Sequence, residues 1–328
     1  MDTLEGGLSD DKNTARSKWR GARIEERMKW KQVFVPHPRA MKLTRAIVRK
    51  VDLCRWSNAG DGMLIVGETG SGKTRLVDHL LEHYRVERAD LPERSIRPAI
   101  AVSIPDPCRP RELGIEILRA LGDPIAGRTR VSEITLRAHQ LMVDCETRLV
   151  MIDNFHDVPE LRRARGIEHI CSWVRNLIDH VPALFVLLGN KQAEVVVEGN
   201  PQLRRRCAYR SPLQYFDIHT RAGGMEFAEL IRNLESRLPL AERSALLDPQ
   251  ALAKIYAATG GIFSYLVKML DAATVAAVSG QRERIEVQDL EAAFVEVHGD
   301  GYRSCNPFTD GFAARILNLA GEPFAGLL

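Results

Sequence analysis

The chain has 328 residues, a formal net charge of +3, 45% hydrophobic and 27% charged residues, the proportions of an ordinary globular protein. Such a composition excludes collagen-like, wholly disordered and disulfide-scaffold classes, and the length suits about two domains. No apolar run approaches the roughly 18 residues that a bilayer span needs, and the acidic, polar start lacks the form of a signal peptide. A cytoplasmic protein without a membrane partner is expected.

Residues 1–34 read as a basic, partly disordered arm, with a basic helix over 20–32 that Pro36 and Pro38 break. From Lys12 to Arg55, 14 Lys and Arg stand against three acids, a local excess of +11 that leaves the rest of the chain slightly acidic. That concentration points to a polyanion or an acidic partner surface. Apolar spacing then predicts a helix over 40–56. Four continuous apolar runs, at 63–67, 99–104, 148–153 and 183–189, read as strands buried on both faces. Helical patterns at 73–84, 110–121, 132–146 and 166–180 separate them, so a parallel sheet with right-handed crossovers is expected. A fifth strand falls at 209–213 or 215–219. Beyond residue 220 only helices are expected, at 227–237, 249–259, 262–278 and 287–297, punctuated by Gly223–Gly224 and Gly260–Gly261. The resulting division is an α/β domain over 35–220, an all-helical domain over 221–298 and an irregular tail over 299–328.

The chemistry is carried first by Gly67, Glu68, Thr69, Gly70, Ser71, Gly72, Lys73 and Thr74, a full GxxxxGK[ST] phosphate loop. It follows a strand and opens a helix, the context in which backbone N–H groups and a helix N-terminus cradle phosphates. Arg75 extends the binding segment into the helix. Lys73 would reach the β- and γ-phosphates of ATP, and Thr74 would ligate Mg²⁺. The strand at 149–153 ends in Asp153, 80 residues after Lys73, and would supply the second Mg²⁺ group. The next residue is Asn154, where a hydrolytic ATPase usually has Glu; an amide can hydrogen-bond the attacking water but cannot take its proton. His156 and Asp157 lie nearby as compensating groups. Asn190, after the strand at 183–189, is either a γ-phosphate sensor or a helix N-cap. One of Arg204, Arg205 and Arg206, with Arg206 first, would reach into a neighbouring subunit's ATP site, unless the triplet is a solvated turn. Lys268 would touch phosphate from the helical domain or lie free on its surface.

The six cysteines form no CxxC pair and no zinc spacing, and the nine histidines form no HExxH, so buried incidental thiols and no structural metal are expected.

Together these pieces resemble an AAA+ ATPase, and in finer pattern the TniB/TnsC family of transposition regulators. VPHPRA, MLIVGETGSGKT, PAIAVSIPDPCRP, ELGIEILRALGDP, VMIDNFHDV, VLLGNKQA, PQLRRRC, TGGIFSYLVKML and the late NPF carry the resemblance. The family pattern has Asp-Glu at Asp153-Asn154, Arg-Phe at Arg206-Cys207, and often an Arg at Ser264; these departures bear on rate rather than on nucleotide binding. The resemblance implies an AAA+ core with a helical lid, in a bacterial cytoplasm. It implies ATP-dependent assembly into rings or filaments on duplex DNA, recruitment of a DDE transposase, and a TniQ-like target selector or guide-RNA complex as further partners. Sequence-independent DNA contacts would come from Arg109, Arg111, Arg128, Arg130, Arg162, Arg163 and Arg165. The alternatives are an ATP-gated scaffold that barely hydrolyses and a helicase loader or replication initiator on the same core.

Overall fold

The computed structural model describes residues 35–92, 94–106, 108–123, 130–160, 164–312 and 315–327, with the backbone alone at 159, 160, 164 and 165. The arm over 1–34 lies outside the described residues. Two compact units are present: Arg39–Gln214, and a second formed by the segment before Arg39 together with Tyr215 onward.

The first unit runs α1 (Pro38–Ser57), β1 (Asp61–Val66), α2 (Lys73–Arg85), a short hairpin of β2 (Ala89–Asp90) and β3 (Ser95–Ile96), β4 (Ala99–Ser103), α3 (Pro110–Leu121), α4 (Val131–Asp144), β5 (Leu149–Asp153), a 3₁₀ turn (Phe155–Glu160), α5 (Ala164–His180), β6 (Leu184–Gly189), α6 (Lys191–Gly199), α7 (Pro201–Arg206) and β7 (Tyr209–Pro212). The main sheet has the order β4-β5-β6-β1-β7 and every pair is parallel. Successive residues of each strand alternate between two cores. Leu64, Val150, Ile152, Phe185 and Leu187 face α3 to α7; Met63, Ile65, Met151, Val186 and Leu188 face α1 and α2. Both sheet faces are thus buried, which is why the strands read as unbroken apolar runs. The fifth strand is the earlier alternative, and its register sets Met63 against Tyr209 and Val66 against Pro212.

The second unit contains α8 (Arg221–Glu235), α9 (Pro249–Thr259), α10 (Phe263–Ser279), α11 (Val287–His298) and a 3₁₀ turn (Asp300–Cys305). Its boundary differs from the expected one. Val35 joins the helical core, the Asn233 amide donates to the Pro36 carbonyl at 2.8 Å, and His37 packs edge-on to Phe216 at 5.2 Å. The VPHP segment therefore belongs with the helices and not with the sheet. The tail expected over 299–328 is irregular in backbone but folded into the same core, since Phe308, Leu317 and Phe324 are buried there. Among the described residues no single helix is long and apolar enough to cross a membrane.

The thiols of Cys54, Cys108, Cys145, Cys171 and Cys207 are buried, and all six described cysteines are free. Burial pushes Cys108, Cys171 and Cys207 up to about 12, so they are inert. Histidines give the fold a pH dependence. The His298 ring stacks on Tyr265 at 5.2 Å and donates from Nε2 to the Ala258 carbonyl at 2.9 Å. Its proton affinity is lowered, chiefly by burial and further by Lys268. Burial lowers His79 and His139 too, while burial raises Glu235 and works the other way. For these histidines the unfolded chain binds protons more readily than the folded one, so their effect is absent at neutral pH and destabilising as pH falls through the ordinary histidine value. The melting temperature is expected to drop between about pH 7.5 and 5.5. Thermal melts across that range that showed an equal or higher value at the acid end would contradict this assignment.

Candidate nucleotide site

The parallel order brings the C-terminal ends of β1, β6 and β5 side by side, the edge where open α/β sheets bind ligands. The Gly67 N–H donates to the Gly189 carbonyl at 2.9 Å, which fixes the start of the loop beside the end of β6. Gly70 and Gly72 have φ of +82° and +99°, a region open to glycine at little cost, and Gly72 caps α2 without a side chain. The first-turn N–H groups of α2, from Lys73 onward, thus have no intrahelical partners and face the loop with the positive end of the helix.

Lys73 is buried and its Nζ donates to the carbonyls of Gly67 at 2.6 Å and Glu68 at 3.1 Å. Burial lowers its proton affinity, opposed by the charges of Asp153 and Glu68. The Thr74 hydroxyl donates to Asp153 Oδ2 at 3.4 Å, long for such a bond. Two hard oxygen donors so placed suit one divalent cation. Ser71 is buried and its Oγ has no hydrogen-bond partner. An orphaned hydroxyl inside a glycine loop fits an incoming phosphate oxygen. Thr69 is exposed, and Arg75 points outward and pairs with Asp78 at 3.5 Å. These residues therefore fit a nucleotide polyphosphate with its metal. Such a group would supply a phosphoanhydride and a Lewis acid, and the loop, Lys73, Thr74 and Asp153 are the residues that would hold it.

Beyond Asp153 the chain turns sharply. Asn154 has φ +57°, its N–H donates to Asp153 Oδ1 at 2.8 Å, and its carbonyl accepts from the Asp157 N–H at 2.9 Å. The left-handed backbone went unread in the sequence, although Asn is among the few residue types that accept it. His156 has a buried Nδ1 with no partner, and its Nε2 lies 3.6 Å from Asp157 Oδ1. Asn190 Oδ1 accepts from the Gln192 N–H at 2.9 Å, so this side chain is the N-cap of α6.

Within the triplet, Arg206 pairs with Asp179 of α5 at 2.6 Å and Arg204 with Glu198 at 3.5 Å, whereas Arg205 is exposed and makes no ion pair among the described residues. Arg109 and Arg130 are exposed at the N-caps of α3 and α4. Arg111 pairs with Glu112 at 3.7 Å. Arg128, Arg162 and Arg163 and the side chain of Arg165 lie outside the described residues. Lys268 is exposed on α10, in the helical unit, with its ammonium 5.5 Å from the Tyr265 ring centroid. No group of three or more metal-ligating His, Cys, Asp or Glu occurs among the described residues.

Similar solved structures share this architecture. Aeropyrum pernix ORC1 in complex with DNA is 18% identical, with a TM-score of 0.59 over 81% of this chain and 67% of that one. The A. pernix ORC2 protein (ADPNP-ADP complexes) is 18% identical, with 0.58 over 80% and 70%. Cdc6p from Pyrobaculum aerophilum is 17% identical, with 0.56 over 80% and 69%. The fold is accordingly that of an AAA+ P-loop NTPase with a helical C-terminal region. No curated protein matches the sequence. The family model described as "Bacterial TniB protein" matches residues 26–214, more than half of the chain, phosphate loop, Asp153 and arginine triplet included; the chain belongs to the TniB family.

Proposed function

We propose that this protein is an ATP-dependent regulator of DNA transposition. With ATP and Mg²⁺ bound it assembles into a ring or filament on duplex DNA without reading sequence. The assembly recruits and activates a DDE transposase, with a target selector of the TniQ kind, alone or with a guide-RNA complex, delivering the site. The observation that carries this reading is the meeting of Lys73, Thr74 and Asp153 at one sheet edge in a chain of the TniB family. One of the similar structures, A. pernix ORC1, is bound to DNA, which supports duplex DNA as the substrate surface.

We assign the trans role to Arg205, which, unlike Arg204 and Arg206, forms no ion pair among the described residues. There it would offset charge on the transferring phosphoryl group. A repeating head-to-tail contact of that kind generates rings or filaments. Asn154 favours a second reading within the first: a long-lived ATP-held scaffold, because the residue directly after Asp153 is an amide and cannot take the proton of water.

Electron microscopy of the protein with duplex DNA, in ATP and in ADP, tests the proposal. Ordered assemblies on DNA are expected in ATP and not in ADP, and Arg205→Ala is expected to shorten or abolish them. Assemblies indifferent to the nucleotide, or their absence from DNA, would refute it.

A further inference from the structure

Of the exposed arginines of the first unit, Arg75, Arg85, Arg94 and Arg119 are held by Asp78, Glu82, Glu146 and Glu116, whereas Arg55, Arg88, Arg109, Arg130 and Arg205 form no ion pair among the described residues and stand apart from one another on different elements. Helix α1 differs in setting its unpaired cations in a row. Lys42, Arg45 and Arg49 are exposed and none forms an ion pair among the described residues; Arg45 Nε only donates to the Met41 carbonyl one turn back. Steps of three and four residues put the three on one face of the helix. The opposite face, with Leu43, Ile47, Val51 and Cys54, is buried against the sheet, so the cationic face is fixed in direction. Farther along, the same face turns apolar, with Leu53 and Trp56 exposed at 47% and 78%. Asp52 is its one acid, at the edge and beyond the three cations. An unneutralised row of cations raises a local positive potential that costs folding energy and returns it only against an anion.

We infer that the face of α1 made by Lys42, Arg45 and Arg49 is a docking surface for the phosphate backbone of duplex DNA. The inference rests on the DNA-binding reading above and supplies a surface for it on residues that the motif arginines do not include. Charge complementarity selects the occupant. The row spans ~10 Å at the helical rise per residue, close to the length over which one DNA strand presents about three phosphates. It also ends the basic stretch from Lys12 to Arg55, which carries +11 in a chain whose total is +3. Contacts from these cations to phosphate oxygens would fix the position of the duplex and carry no sequence information.

The test measures binding of the full chain, with ATP and Mg²⁺, to a labelled duplex across a salt titration. Compared are the native chain, the variant K42Q/R45Q/R49Q, and the equal-charge control R221Q/R232Q/R243Q, three exposed arginines of the helical unit. Glutamine keeps the helix, and melting curves confirm the fold of each variant. The expected result is a log-affinity against log-salt slope shallower by about 2.7 for the α1 variant, about 0.9 per lost phosphate contact, with little change in the control. Equal effects of the two triples would reduce the finding to net charge and overturn the site. An α1 variant that binds like the native chain would also overturn it, and would leave this face to an acidic protein. Failure of the native chain to bind DNA would instead bring down the DNA-binding reading itself, and the inference with it.

Discussion

Replacing Lys73 by Ala is expected to lower ATP affinity by about two orders of magnitude and to abolish ATP-dependent assembly on DNA. The ammonium is the one cation buried inside the loop, held on the carbonyls of Gly67 and Glu68. Those carbonyls satisfy it only as neutral acceptors. A phosphate oxygen is an anionic acceptor, and a hydrogen bond to a charged partner contributes roughly 1.5–3 kcal/mol, against about 1.4 kcal/mol for each tenfold in affinity. Loss of the positive charge beside an incoming polyanion adds to that. The substitution also unties the two carbonyls, so a melting curve is needed to separate a loosened loop from a lost ligand contact. Calorimetric titration with ATP then reads binding, and microscopy reads assembly. Assembly that survives Lys73→Ala at native ATP concentration would mean that nucleotide does not gate it.

The same residues show how far the sequence alone reaches. The phosphate loop was legible because its chemistry lies in one contiguous segment with a strand before it and a helix after it. Asp153 was legible because a strand buried on both faces leaves a polar residue only at its end. The sheet was legible for the same reason, its two cores making each strand an unbroken apolar run. What failed to read were features that depend on distant neighbours. Gly223 and Gly224 look like punctuation, yet they lie in the first turn of α8. A Cβ on Gly223 would stand 1.8 Å from the Asp217 carbonyl oxygen, and its N–H donates to the Thr220 hydroxyl at 3.1 Å. This glycine serves a close backbone approach at a helix start. Pairing of Arg206 with Asp179 joins residues far apart in the chain, so no local pattern could separate Arg206 from Arg205. The tail had no period to read, because turns, not a helix, carry Phe308, Leu317 and Phe324 into the core.

Changing Asn154 to Asp is expected to raise ATP turnover by ~10²–10⁴-fold, the usual worth of a positioned general base. The choice of Asp over Glu follows from the backbone. At φ +57° most side chains crowd the following carbonyl at a cost of roughly 1–2 kcal/mol, whereas Asn and Asp tolerate the region. Glu at this position would therefore strain the turn that also orients Asp153 through the Asn154 N–H, and any gain in chemistry would be mixed with a displaced metal ligand. Asp has the size and reach of Asn and differs in the one respect that matters, an oxygen that can accept a proton. Asn154→Gly completes the series: it suits the left-handed backbone, so the fold and ATP binding should persist while the amide is lost. Turnover measured with and without duplex DNA decides between the two versions of the function. Slow native turnover, accelerated by Asn154→Asp, identifies a scaffold that ATP holds in place until a partner removes it. Brisk native turnover, unchanged by Asn154→Asp, would place the proton elsewhere in the turn, where His156 has a buried Nδ1 without a partner and its Nε2 3.6 Å from Asp157 Oδ1.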